Sequence, residues 1–160
     1  ELNPHMIALF KKELLPQFPH KEKVHIVEGN ALTYIMAQED AAFDYGFSDF
    51  WGGLSDGLPL YLSFAKGCAR FRHTIHDYWI ENTFIDYYFR PAVMIFLMEK
   101  VLGRKERPLD QGKKASGILR KFISFLEKEP FTLEKEEDIY HLLDTKTLVR
   151  VVRKFAACCL

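Results

Sequence analysis

The sequence has little of what marks several whole classes of protein. Three cysteines in 160 residues (Cys68, Cys158 and Cys159) are too few for a disulfide scaffold. Their odd number, and the poor pairing geometry of two adjacent thiols, point to a reducing compartment and so to the cytoplasm. No Cys-x-x-Cys pair offers a zinc site. Seven prolines and nine glycines leave no collagen-like or low-complexity tract. Net charge is also missing, with 22 basic side chains against 22 acidic ones. There is accordingly no general electrostatic drive toward nucleic acid or an anionic membrane, and neither is an expected partner. The strongest apolar run, 92–98, is far too short to span a bilayer. No secretory leader is recognisable at the start. The first residue is Glu1 and not Met, which fits a chain that is part of a longer protein.

What is present is globular. The composition is 48% apolar and 28% charged, and the length suits a single real core. Charge and aromatics are unevenly spread. Residues 1–103 are net acidic and residues 104–160 net basic, and 15 of the 23 aromatics fall between Phe43 and Phe96. Acidic side chains interleave the basic ones of the tail (Arg104, Lys105, Arg107, Lys113, Lys114, Arg120, Lys121), which describes a solvated face, and no RNA-binding motif is present. The stretch 103–112 is polar, ends in turn formers, and predicts a linker. Two parts follow: 1–103, and a helical C-terminal extension over 104–160 packed on it.

The first part alternates helix and strand signals. Asn3-Pro4 predicts a capped helix start, and Pro16 ends that helix. Residues 24–27 form a short β-rich run ending at Glu28-Gly29. Residues 31–36 predict a helix, and 43–49 alternate with the period of a strand. A helix is predicted over 55–66 with Gly67 as its stop, and a weaker strand over 69–75. A long helix follows over 82–102, kinked by Pro91. In the tail, Ile118, Leu119, Phe122, Ile123 and Leu126 make one apolar stripe. Thr132 predicts a helix cap ahead of Glu134, Glu136 and Glu137, and Leu148, Val151, Val152 and Phe155 make a last stripe. Alternating β and α predicts a parallel sheet covered by helices.

In such sheets ligands bind beyond the carboxyl ends of the strands. The polar residues at those ends are Glu1, just before the Asn3-Pro4 helix, then Asn30 after the run 24–28, then Asp49 at the end of 43–49. They stand 29 and 19 residues apart. A carboxylate can accept both hydroxyls of a cis-diol, an amide can donate and accept against a base edge, and a carboxylate can stabilise a nearby cation or take a proton. The plainer alternatives are a solvated terminus for Glu1, a helix N-cap for Asn30, and a loop-capping acid for Asp49.

The pieces Glu1-Leu-Asn-Pro, Val24-His-Ile-Val-Glu-Gly-Asn-Ala31 and Ala42-Phe-Asp-Tyr-Gly-Phe-Ser-Asp49, in this order and spacing, resemble the class I S-adenosylmethionine-dependent methyltransferases, and most closely their spermidine-synthase-like branch. The resemblance covers about the first half of the chain. It implies an α/β fold, a partial Rossmann-like parallel sheet of about three strands, and methyl or alkyl transfer to an unknown acceptor. It places Glu1 on the ribose, Asn30 and Ala31 against the adenine, and Asp49 at the reacting centre. Read from the residues alone, Phe50 and Trp51 beside Gly52-Gly53 suit an aromatic wall next to a ligand, and the plainer alternative is a turn whose rings pack on the core. The family's first strand and glycine-rich loop would precede Glu1, so the isolated chain is expected to bind S-adenosylmethionine weakly or not at all. Asn30 replaces the family's usual Asp, and Asp49-Phe50-Trp51-Gly52-Gly53 lacks the motifs of aminopropyl transferases and of many amino methyltransferases. In the family's sheet two strands separate 24–27 from 43–49. A missing N-terminal segment or a second copy is therefore expected to complete the sheet.

Beyond these, His73, His76, Asp77, Tyr78, Trp79 and Glu81 form the densest polar–aromatic cluster. His76 and Glu81 are secondary candidates for facing a substrate. The spacing fits no known zinc pattern, so no metal is expected and a structural hydrogen-bond network is the plainer reading. The alternative to an enzyme is a non-catalytic α/β domain that binds a protein partner through its aromatic segment or its helical tail.

Overall fold

Asparagine side chains open the first two helices. Asn3 Oδ1 accepts the backbone N–H groups of His5 at 2.9 Å and Met6 at 3.4 Å, and Pro4 follows where its missing N–H loses nothing. The helix α1 (Pro4–Leu9) runs on through a π-turn, Phe10–Leu14, and a 3-10 turn, Leu15–Gln17. Asn30 Oδ1 accepts the Thr33 N–H at 3.0 Å and starts α2 (Ala31–Met36). Gly29, just before it, has φ of +156°, a conformation L side chains rarely adopt. That turn lets the Gly29 N–H reach the Glu1 carbonyl at 3.0 Å. The computed structural model describes residues 1–40, 42–103 and 113–160.

The fold is α/β and mostly helical, with a small parallel sheet. Strands β1 (Tyr45–Ser48) and β2 (Ile75–Tyr78) pair in register, Tyr45 opposite Ile75 and Ser48 opposite Tyr78. The crossover between them is α3 (Leu54–Cys68). The sheet expected to have about three strands has two among the described residues. Residues 24–28 take no regular structure and have no ladder partner among the described residues, although Val24 is extended at φ of −87° and ψ of 113°. They lie beside the start of the chain, where the Glu1 ammonium donates to the Val27 carbonyl at 3.2 Å. β propensity extends a segment, but a strand needs a neighbour to pair with.

Two further expectations shift. The strand read at 69–75 lies at Ile75–Tyr78. Residues 69–74 are instead a loop stitched to the end of α2: Arg70 donates to the carbonyls of Ile35, Met36 and Gln38, and the Arg72 N–H reaches Asp40 at 2.9 Å. Helix α3 does not stop at Gly67 but runs to Cys68. That glycine makes room for a neighbour, since a Cβ there would stand 2.9 Å from the Met36 sulfur.

The long helix breaks where Pro91 requires. After α4 (Glu81–Phe84) the backbone widens into a π-turn, Ile85–Phe89, and α5 (Arg90–Leu102) starts with Pro91 in its first turn. A wider turn ahead of the proline accommodates its missing N–H and its ring. Gly103, in the left-handed conformation at φ of +63°, ends α5. The expected linker falls largely on 104–112, outside the described residues.

The tail holds α6 (Lys113–Leu126), α7 (Glu136–Leu143) and α8 (Thr145–Cys159). Thr132 does not cap α7. Asp138 folds back instead and accepts the N–H groups of Glu134 and Lys135, so the helix starts at Glu136. Asp144 caps α8 by accepting the Thr147 N–H. One continuous core joins α3, α4, α5, α6 and α8, with Tyr61, Phe84, Phe89, Phe122 and Phe155 fully buried. No helix among the described residues is long and apolar enough to cross a membrane.

Candidate ligand-binding cleft

Three loops meet at one end of the sheet. The first is the chain start before α1, the second the turn Gly29-Asn30 into α2, and the third Asp49-Phe50 after β1. Together they enclose a cleft of about 530 Å³ whose lining includes Glu1, Asn30, Ala31, Asp49 and Phe50, with Leu2, Gly29, Leu32, Phe47 and Leu60 between them. Ligand pockets run from roughly 300 to 1,000 Å³, so this one can hold a small organic molecule.

Local structure sets the polar groups. Glu1 Oε1 accepts the Asn3 N–H at 2.8 Å, which holds the carboxylate against the start of α1. Asn30 spends its carbonyl oxygen on capping α2, and the structure thus bears out the cap while leaving its side chain on the cleft. Among the described residues the lining carries two carboxylates, Glu1 and Asp49, and no basic side chain. These carboxylates can accept from a ligand's hydroxyls or face a positive centre.

Five of the eight candidate residues therefore come together: Glu1, Asn30, Ala31, Asp49 and Phe50. Three do not. Trp51 turns inward, donates from Nε1 to the Ser48 carbonyl at 3.1 Å, and packs edge-on against Tyr61 and Phe64. His76 lies within β2 and lines a separate apolar slot of about 270 Å³ with Tyr34, Phe43 and Phe64. Glu81 is buried, and its carboxylate is taken up by Tyr61 and Arg153. Among the described residues no three His, Cys, Asp or Glu side chains gather as a metal site.

The cleft also uses residues that sequence reasoning did not single out. Phe47 and Leu60 close one side. Alternation within 43–49 puts Phe47 on the face opposite Ser48, and that signal alone could have found it. The slot beside His76 shares Ala31, Phe47 and Phe50 with the cleft, so the two lie side by side. No known family model, curated protein or solved structure matches this chain.

Proposed function

We propose that the cleft is the nucleoside end of an S-adenosylmethionine site, and that this chain is the C-terminal part of a Rossmann-like methyltransferase. The observation that carries the reading is convergence. Glu1, Asn30 and Asp49, spaced 29 and 19 residues apart, line a single cleft whose charged side chains among the described residues are acidic. In this reading Glu1 accepts the ribose hydroxyls, Asn30 and Ala31 face the adenine, and Phe50 covers one side of the ligand. Asp49 stands near the sulfonium, where a carboxylate stabilises positive charge or receives a proton from an attacking amine. The cofactor supplies the reactive carbon, and the chain's own groups bind, orient and exclude water.

The same reading accounts for the unpaired backbone. Among the described residues, 24–28 and the free edge of β1 have no ladder partners, and the apolar slot adjoins that β1 edge. Further strands, from an N-terminal segment or a second copy, complete the sheet and close the cleft. The isolated chain is then inactive or nearly so.

A second reading, a non-catalytic partner-binding domain, draws on the uncovered face of the sheet. Tyr45, Phe47, Ile75 and Trp79 are all more than half exposed there, whereas parallel strands are normally covered on both faces. Calorimetric titration of S-adenosylmethionine and S-adenosylhomocysteine into the longest natural form, with this chain alongside, separates the readings. Binding to the long form that weakens about tenfold in Glu1→Ala supports the first. Binding to neither form removes it and favours the second.

A further inference from the structure

Behind the cleft, an ion pair joins the last helix to the start of α4 and reaches the loop that carries Asp49 through Tyr61 and Trp51. Glu81, at the start of α4, is only 6% exposed. Arg153 of α8 grips it with both prongs, Nε to Oε1 at 2.8 Å and Nη2 to Oε2 at 2.6 Å. The same Nη2 reaches the His76 carbonyl at 2.9 Å, and the guanidinium lies over the Tyr78 ring, 4.9 Å from its centroid. The Tyr61 hydroxyl donates to Glu81 Oε1 at 2.5 Å. Tyr61 in turn meets Trp51 edge-on at 6.0 Å. Trp51 lies against Phe50, its ring tilted with centroids 4.2 Å apart, and donates to the carbonyl of Ser48, the last residue of β1.

We infer that Arg153 and Glu81 are positioning residues for the cleft: acting through Tyr61 and Trp51, they set where Asp49 and Phe50 stand. Stability alone does not account for such a pair, because well-packed apolar side chains of similar volume commonly hold a core as well as a buried ion pair does. What the pair adds is direction. A guanidinium fork fixes the carboxylate plane, and that carboxylate fixes the Tyr61 hydroxyl. The Tyr61 ring then presents one edge to Trp51. Trp51, the first residue after Phe50, has its own hydrogen bond back to β1, so a shift of its indole carries the preceding two residues along. The helical tail becomes part of the site without touching it. The inference rests on the functional reading only for what fills the cleft.

The experiment reads the loop directly. In a Trp79→Phe background, Trp51 is the only indole. Arg153→Met should shift its emission to the red and raise its quenching by acrylamide, while far-UV circular dichroism stays that of the folded chain. Arg153→Lys, which keeps the charge and loses the fork, should fall between. Tyr61→Phe removes one hydroxyl and keeps the ring, so it serves as the relay test even where Arg153→Met does not fold. It should reproduce the red shift in smaller measure. Where wild-type long form binds S-adenosylhomocysteine, both variants should weaken that binding about fivefold. Unchanged Trp51 emission and quenching in a folded Tyr61→Phe chain would overturn the inference whatever the cleft binds. A wild type that ignores S-adenosylhomocysteine overturns the functional reading alone, and the Trp51 signal then decides the coupling by itself.

Discussion

The first fifty residues and the remainder are built on different terms. Among the described residues, Ile7 alone of the buried apolar set lies in the first fifty. In the same stretch Leu2, Met6, Leu9, Leu14, Phe18, Val27, Met36, Tyr45 and Phe47 stand out in solvent. From Leu58 onward the pattern reverses, and aromatic rings from α3 to α8 interlock, Phe89 on Phe122 at 4.9 Å and Phe122 on Phe155 at 5.2 Å. Both regions carry apolar side chains at sensible spacings. The later region buries them deeply, whereas the earlier one buries few. In the earlier region Leu32 and Ile35 rest on the edge of the core, and turns, asparagine caps and Arg70 add to the holding. The cleft lies at the seam. Its lining comes from the softer region save Leu60, and its rear support comes from the rigid one through Trp51.

The sharpest way to break this contrast is to remove a ring from each side. Phe122→Ala should cost about 3–5 kcal/mol, because the ring is fully buried among Phe89, Phe125 and Phe155 and the cavity cannot close around it. Phe47→Ala removes the same atoms from a residue 57% exposed and should stay within about 0.5 kcal/mol. Urea unfolding of the two variants measures the difference. Equal losses would mean that the first fifty residues share the main core after all.

A finer test uses one helix that touches both regions. In α3, a Cβ at Gly57 would stand 2.9 Å from Phe84 Cζ, and one at Gly67 would stand 2.9 Å from Met36 Sδ. The intrusions are equal, but the neighbours are not. Phe84 is completely buried and has nowhere to go, whereas Met36 is flexible and about half exposed. Gly57→Ala should destabilise by about 1–3 kcal/mol through overpacking. Gly67→Ala should be near neutral, the displaced Met36 offset by roughly 1 kcal/mol of helix propensity. Thermal unfolding resolves the pair, and a matching loss at Gly67 would show that α2 is held as firmly as the core.

The same division explains what could be read in the sequence. Local chemistry wrote α2 plainly, since Asn30 caps it and the helix spans 31–36 as expected. The strand β2 was hidden because His76 and Asp77 make it look polar. Both are tolerated, His76 half-buried against Phe71 and Tyr78, and Asp77 on the bare face taking the Tyr45 hydroxyl. Residues 24–27 look like a strand but form none among the described residues, since pairing is a property of two segments and cannot be read from one. Of the cleft, position at the ends of the expected strands found Glu1, Asn30 and Asp49. Glu81, a secondary candidate for facing a substrate, belongs instead to a hydrogen-bond network, the plainer reading of its cluster, and the group that claims its carboxylate, Arg153, lies 72 residues away. A carboxylate's neighbours across the fold decide whether it faces a ligand or a guanidinium, and no local pattern carries that.

The smallest effect expected is at His76, where the two regions touch. Its ring borders the slot with Tyr34 and Phe43, and its own carbonyl is held by Arg153. Its Nε2 is buried with no hydrogen-bond partner among the described residues. Burial, and then the Arg153 charge, push its pKa below the ordinary value of 6.5, against a weaker opposing pull from Asp77. The folded chain therefore keeps this imidazole neutral while the unfolded chain takes a proton near pH 6.5. Between that point and the lower folded value the unfolded state holds more protons, so stability falls as pH falls, and the loss levels off below the folded value. His76→Gln cannot titrate. The urea midpoints of wild type and variant, followed from pH 7.5 to about 5, should move apart in one direction only, with wild type losing ground to the variant on the acid side. The carboxylates that titrate in both chains cancel in that difference. Parallel curves would mean that His76 finds a partner for its proton inside the fold, and that the seam between the two regions is wetter than its packing suggests.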